Sequence, residues 1–284
     1  MHYRILQSLL HIEDVFCKFL LMKSSQGNIL PDQIVDRGGL WEGRLLVFHT
    51  LKSTNEWALE HLDFCRHGDV ILAIRQTKGR GRLSRSWWAP DDKGLTLSVV
   101  ITHFRQDEVM FVLCQAAALS VRDTLDTYSV HGSLKWPNDV VVNGNKIAGI
   151  LAETDFKQNS VVLGIGLNVN VDRENFKTVS LGRFATSMLV EKGCPFDITH
   201  VRTSLVSHLE KTIDLIALNG VSHVVNAWAK HDWLIGSLIE VRSPKSTKRG
   251  RYAGLDKRGR LRLIDAGGHE NIFWTGDVER IEAV

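Results

Sequence analysis

The run Val140-Val141-Val142-Asn143-Gly144-Asn145-Lys146-Ile147-Ala148-Gly149-Ile150-Leu151 places two apolar segments on either side of an Asn-Gly pair. Asn and Gly tolerate the positive φ that a two-residue turn demands, so the run predicts a β-hairpin and a sheet with antiparallel neighbours. Further strands are expected at Leu45-Leu46-Val47-Phe48, from Asp69 to Gln76, from Leu95 to Ile101 and from Val161 to Val171. The last of these carries Gly164 and Gly166 in its interior, where glycine weakens a sheet unless something approaches the backbone closely.

Helical signals alternate with these strands. Ser53-Thr54-Asn55-Glu56 reads as a capping box opening a helix to about Cys65, with the Ser53 oxygen taking the N3 amide and Glu56 reaching back. Val109, Val112, Leu113, Ala116, Ala117, Val121 and Leu125 recur at helical spacing, giving a long helix whose apolar stripe lies on the sheet. A further helix over about 199–218 stops at Asn219-Gly220, and a short one runs through Trp228. From Leu234 the pattern changes to short strands with tight turns, which predicts a small all-β barrel. The expected organisation is an N-terminal extension over 1–42, with a tether from Gly27 to Gly39, a main domain over 43–233 and a β-domain over 234–284.

The chain has 284 residues, and 35 Lys plus Arg against 32 Asp plus Glu leave a net charge of only +3, which gives no argument for nucleic acid or a membrane surface. Cys17, Cys65, Cys114 and Cys194 are far apart and form no C-x-x-C pair, the pattern of a reduced, cytoplasmic protein. The apolar stretches near the N-terminus are broken by His11, Glu13, Asp14 and Lys23, so neither a secretory h-region nor a membrane span is expected. No P-loop, zinc-spaced His/Cys set or Gly-x-Ser-x-Gly elbow occurs, and no protein metal site is expected.

The chemistry concentrates in Gly79-Arg80-Gly81-Arg82-Leu83-Ser84-Arg85-Ser86-Trp87-Trp88. Arginine offers a permanently charged planar fork for carboxylate or phosphate oxygens, and glycine lets main-chain N–H groups approach a ligand. The competing reading is a solvated basic loop beside a core tryptophan. Lys146 begins an apolar strand, where a lone ammonium either faces an anion or snorkels to water. Asn138-Asp139 stands at the mouth of another strand, either as part of the same anion site or as an Asx turn after Pro137.

Taken together, Gly79-Arg80-Gly81-Arg82 with Arg85 and Trp87, Lys135-Trp136-Pro137-Asn138-Asp139, Lys146-Ile147-Ala148-Gly149-Ile150-Leu151 and Gly164-Ile165-Gly166-Leu167-Asn168 resemble the successive signatures of biotin–protein ligases. Ser53-Thr54-Asn55 and Gln76 match as well, so the resemblance runs from about Leu45 to the end. It implies an α+β fold of the class II synthetase type, a mixed or antiparallel sheet with packed helices, plus a C-terminal SH3-like β-barrel. It also implies that biotin and ATP, with Mg2+, give biotinyl-5′-AMP and pyrophosphate, and that a lysine of the biotin carboxyl carrier protein then takes the biotin.

By the same resemblance Lys146 and Arg82 are the catalytic candidates, Lys146 bridging the biotin carboxyl and the α-phosphate and Arg82 holding and shielding the adenylate. Ser53, Thr54, Asn55 and Gln76 would read the ureido end of biotin, and Arg80, Gly81 and Gly149 complete its site. Arg85, Trp87, Lys135, Asn138, Asp139, Asn168 and Lys257, with Arg80 and Arg82, would serve the nucleotide, Asn138 bonding adenine and Trp87 covering it. Ser84 stands where many bacterial members have glycine, and Trp88 adds bulk. About forty residues before the first shared strand are short for the winged helix-turn-helix of members that repress transcription, so an enzyme only is expected.

The rival readings are a lipoate–protein ligase and a nucleic-acid-binding regulator. The second draws on nine Lys or Arg against two acids between Glu240 and Arg262, a cluster better read as the solvated outer face of a small barrel, since no exposed aromatics interleave with its charges. Family members often dimerise through a sheet edge, which leaves a homodimer open.

Overall fold

The computed structural model describes residues 29–102, 109–155, 157–179, 184–243 and 246–281. Cys17 and the amphipathic N-terminal stretch lie outside the described residues. The chain divides at Asp32/Gln33, and the unit from Gln33 to Val284 carries everything below.

The elements in chain order are β1 (Gln33–Asp36), β2 (Arg44–Leu51), α1 (Thr54–Glu60), β3 (Val70–Gln76), β4 (Gly94–Ile101), α2 (Val109–Thr127), β5 (Ser133–Lys135), β6 (Asp139–Val142), β7 (Asn145–Asp155) and β8 (Ser160–Asn168). There follow α3 (Arg173–Thr178), α4 (Met188–Lys192), α5 (Ile198–Asn219) and α6 (Ser222–Ala229). The chain ends in β9 (Leu238–Ser243), β10 (Ser246–Leu255), β11 (Leu261–Ile264), β12 (Glu270–Phe273) and β13 (Asp277–Arg280).

Among the described residues β1 to β8 form one eight-stranded sheet in the order β1-β2-β3-β4-β8-β7-β6-β5. Only β2 and β3 are parallel, joined by α1, so the sheet is mixed. The hairpin is as the Asn-Gly pair demands: Val142 faces Asn145 across the turn, with Asn143 at φ 51° and Gly144 at φ 80°. β1 pairs antiparallel with β2, so residues 33–36 of the supposed tether are instead the edge strand of the sheet.

Strand alternation divides the core. On β8, Val161, Leu163, Ile165 and Leu167 point into a large cluster with Leu113, Ala117, Val121 and Leu125 of α2 and Leu205 and Leu209 of α5. Val162 points the other way, into a smaller cluster with Trp57 and Ala58 of α1. Gly164 and Gly166 fall on that second face, beside α1. α1 is shorter than its sequence suggests, ending at His61, and of the capping box only the Ser53 oxygen accepting from Glu56 N–H is formed.

β9 to β13 make a five-stranded antiparallel sheet in the order β12-β11-β10-β9-β13, the β-rich C-terminal domain. Its basic residues are largely spoken for. Arg249 pairs with Glu240, Arg242 with Glu240 and Glu279, Arg260 with Asp256, and Arg262 with Glu270. The domain is tied to α2 and to the β5–β6 turn at one carbonyl, Gly259 O, which accepts from Gln115 Nε2 at 2.7 Å and Trp136 Nε1 at 3.3 Å. No helix among the described residues is long and apolar enough to cross a membrane.

Candidate active site

Glycines on β7 and β8 leave part of the cleft floor without side chains. Gly149 on β7 faces Gly166 on β8, which faces Thr96 on β4, and in the next row Leu151 faces Gly164, which faces Ser98. A Cβ on Gly164 would sit 2.3 Å from Asn55 Oδ1, and one on Gly166 would sit 2.2 Å from Trp87 Cε2. The close neighbours that the sequence anticipated at these glycines are therefore the protein's own Asn55 amide and Trp87 indole. Trp87 Nε1 is buried with no hydrogen-bond partner among the described residues, so the indole is held on the floor by packing.

The polar end of the cleft is built at the start of α1. Gln76 Oε1 accepts from Thr54 N–H at 2.7 Å and from its hydroxyl at 3.2 Å. Ser98 Oγ lies 2.7 Å from Thr54 Oγ1 and 2.6 Å from Asn55 Oδ1. Asn55 Nδ2 donates to Leu151 O at 3.1 Å and to Glu153 Oε2 at 2.9 Å. Both hydrogens of the Asn55 amide thus have acceptors within the protein, on β7.

The arginine loop is a tight hairpin. Trp87 N–H donates to Gly79 O at 2.9 Å, Gly81 N–H to Arg85 O at 2.7 Å, and Arg80 bridges Ser86. Its tip, Arg82–Ser84, is a short turn with Leu83 at φ 53° and Ser84 at φ 60°. Ser84 thus occupies backbone space that a glycine enters without strain.

All three guanidiniums have acceptors. Arg80 Nη2 pairs with Glu153 Oε1, Arg82 Nη1 donates to Asn138 Oδ1 at 3.0 Å and Nη2 to Thr275 Oγ1 at 2.8 Å, and Arg85 pairs with Asp277. Burial pulls the Arg82 guanidinium below its usual range, an effect that the charges of Asp139 and Asp277 oppose. Asn138 Nδ2 donates to Ile150 O at 2.6 Å, so its amide orients Arg82 on one side and grips β7 on the other.

Opposite the loop, Lys146 Nζ lies 2.6 Å from Asp139 Oδ1 and 5.6 Å from the centre of the Trp87 ring. Lys135 Nζ lies 5.6 Å from the Trp233 ring, and burial lowers its pKa, Asp139 raising it and Lys146 lowering it further. Two ammoniums share Asp139 at one end of the cleft, where Asp277 and Glu279 also act on Lys135, and with Arg80, Arg82 and Arg85 the cleft lining gathers five cations suited to an anion. Among the described residues no group of three His, Cys, Asp or Glu side chains is placed to hold a metal ion.

Ser53, Thr54, Asn55, Gln76, Arg80, Gly81, Arg82, Arg85, Trp87, Lys135, Asn138, Asp139, Lys146 and Gly149 all line this one cleft. Asn168 and Lys257 do not. Asn168 is buried and donates to Thr186 O at 3.0 Å, which orders the end of β8. Lys257 is exposed in the β10–β11 turn. Sequence reasoning left Glu153 and Ser98 without a role and had no means of finding Thr275, Gly276 and Asp277. Glu153 lies two residues beyond a matched motif, whereas the C-terminal turn is almost two hundred residues from the loop it meets.

Residues 47–170 match the Biotin/lipoate A/B protein ligase family. The biotin--[acetyl-CoA-carboxylase] ligase of Mycobacterium tuberculosis is 33% identical over 257 residues, covering 88% of this chain and 93% of that protein. The bifunctional ligase/repressor BirA of Bacillus subtilis is 28% identical over 243 residues, 84% of this chain and 74% of its own length. In fold the chain is similar to the biotin protein ligase from Aquifex aeolicus in complex with biotin and ATP, with a TM-score of 0.74 and 24% identity over 84% of this chain and 99% of that one.

Proposed function

This chain belongs to the biotin–protein ligase family, and from that premise we propose how its cleft carries out ATP-dependent biotin ligation. The observation that carries the proposal is the convergence of Lys146, Lys135 and Arg82 beside a floor of glycines. A carboxylate that attacks a triphosphate meets like-charge repulsion, and fixed cations offset it where charge gathers in the displacement.

The apolar body of biotin would lie against Gly149 and Gly166, its ureido group toward Ser53, Thr54 and Gln76, its carboxylate toward Lys146. The carboxylate oxygen attacks the α-phosphorus, an O–P bond forms, and pyrophosphate leaves. A lysine amine of a biotin carboxyl carrier protein then attacks the acyl carbon, and AMP departs. Asp139 holds Lys146 in place between turnovers. Mg2+ fits this site as an ion carried on the ATP phosphates with Asp139 nearby, since Mg2+ is usually bound through one or two carboxylates and substrate phosphates. When bound it supplies charge neutralisation at those oxygens.

The cleft as it stands holds about 250 Å3, less than the roughly 300–1,000 Å3 of a site for a drug-sized ligand. Trp87, whose indole N–H has no hydrogen-bond partner among the described residues, is the side chain that moves to admit the whole acyl-adenylate and then covers it.

The test is Lys146→Ala in biotin-dependent exchange of pyrophosphate into ATP. Exchange is expected to fall by about a thousandfold with the circular dichroism spectrum unchanged. Near-normal exchange would remove Lys146 from the mechanism, and exchange supported by lipoate but not by biotin would overturn the substrate.

A further inference from the structure

The arginines at the tip of the loop do not end on solvent. Arg82 Nη2 donates to Thr275 Oγ1 at 2.8 Å and to Gly276 O at 3.4 Å, and Arg85 pairs with Asp277. Thr275 and Gly276 lie in the turn between β12 and β13, and Asp277 opens β13. The other end of the Arg82 guanidinium reaches Asn138 in the cleft, so one planar group joins the cleft, the loop and the C-terminal domain.

Between the two arginines Leu83 and Ser84 occupy left-handed backbone space, which costs energy for residues other than glycine and persists only where the surroundings enforce it. Within the loop the Gly81–Arg85 hydrogen bond fixes the two arginines relative to each other. The outside force on the tip comes from the contacts of Arg82 and Arg85.

From this we propose that the Thr275-Gly276-Asp277 turn is a clasp that holds the active-site loop shut over the cleft. Thr275 and Asp277 are positioning residues that act through Arg82 and Arg85. In catalysis the clasp retains the reactive acyl-adenylate until the acceptor arrives, a role that rests on the reading of the site given above. The clasp itself is a set of contacts, and it is testable without any ligand.

Two rates test it on the full chain. The first is trypsin cleavage after Arg82, a site every variant below retains, in the substrate-free protein, and the second is release of preformed biotinyl-5′-AMP followed by stopped-flow. Asp277→Asn and Thr275→Val are each expected to raise both rates by at least about twofold, within the span of a partly exposed ion pair or hydrogen bond. The exchanged pair Arg85→Asp with Asp277→Arg is expected to bring both rates back toward wild type, a rescue that a merely structural role would not produce.

Rates within about twofold of wild type in both single variants, at unchanged Tm, overturn the clasp. Should Asp277→Asn fail to fold, Arg85→Gln alters only an exposed loop side chain and must show the same gain in cleavage, or the proposal falls. A wild-type protein that forms no adenylate defeats the reading of the site, whereas the cleavage rates still decide the clasp.

Discussion

Glu153 serves two partners with one carboxylate: Oε2 accepts from Asn55 and Oε1 faces Arg80. It thereby links the polar end of the cleft to the arginine loop. Glu153→Gln keeps an acceptor for Asn55 and removes the charge that holds Arg80. Because that ion pair is partly exposed, its loss is worth about 1 kcal/mol at most, so KM for biotin is expected to rise about three- to fivefold. An unchanged KM in pyrophosphate exchange would show that Glu153 acts on neither partner. The glycines give the same lesson in reverse. Gly164 and Gly166 announce in the sequence that something lies close to the strand, but only the fold shows it to be Asn55 and Trp87.

Elements were legible where local chemistry decides them. The Asn143-Gly144 turn, the apolar stripe of α2 and the stop of α5 at Gly220, with φ 73°, follow from turn geometry, periodicity and capping. β1 and β13 were missed because each is four residues long with half or more of its positions polar, and its identity comes from the strand it pairs with. Gly259 belongs to this scale, since it fixes how the β10–β11 turn meets α2. Its φ is 77°, and a Cβ there would lie 2.3 Å from Gln115 Oε1. Gly259→Ala is expected to cost about 1–3 kcal/mol through overpacking and backbone strain, a fall in Tm of about 2–6 °C. A Tm equal to wild type would mean that the turn relaxes away from α2.

Across the whole molecule the C-terminal domain is joined to the rest by a partly buried acid, Asp232. Asp232 accepts from Tyr252 Oη–H at 2.6 Å and from Leu234 N–H at 3.0 Å, and burial pushes its carboxyl up from 3.8 to about 6. Folding therefore favours the protonated form: the junction is at its strongest below the unfolded value of 3.8 and weakens as pH rises through about 6. Asp232→Asn removes this dependence, so the Tm of the variant minus that of wild type is expected to grow between pH 4 and pH 6. A difference that stays flat over that range would show that Asp232 does not titrate on unfolding. By itself the sequence determined the residue types of the chemistry, the hairpin and helices, and the order of the motifs, since turn preference, periodicity and charge act over a few residues. Only the tertiary structure decided that Asn55 meets Glu153 and Asn138 meets Arg82, that Asn168 and Lys257 do not line the cleft, and that the loop meets Thr275–Asp277. Those outcomes depend on which donors and acceptors meet once distant segments pack together, and no spacing along the chain carries that information.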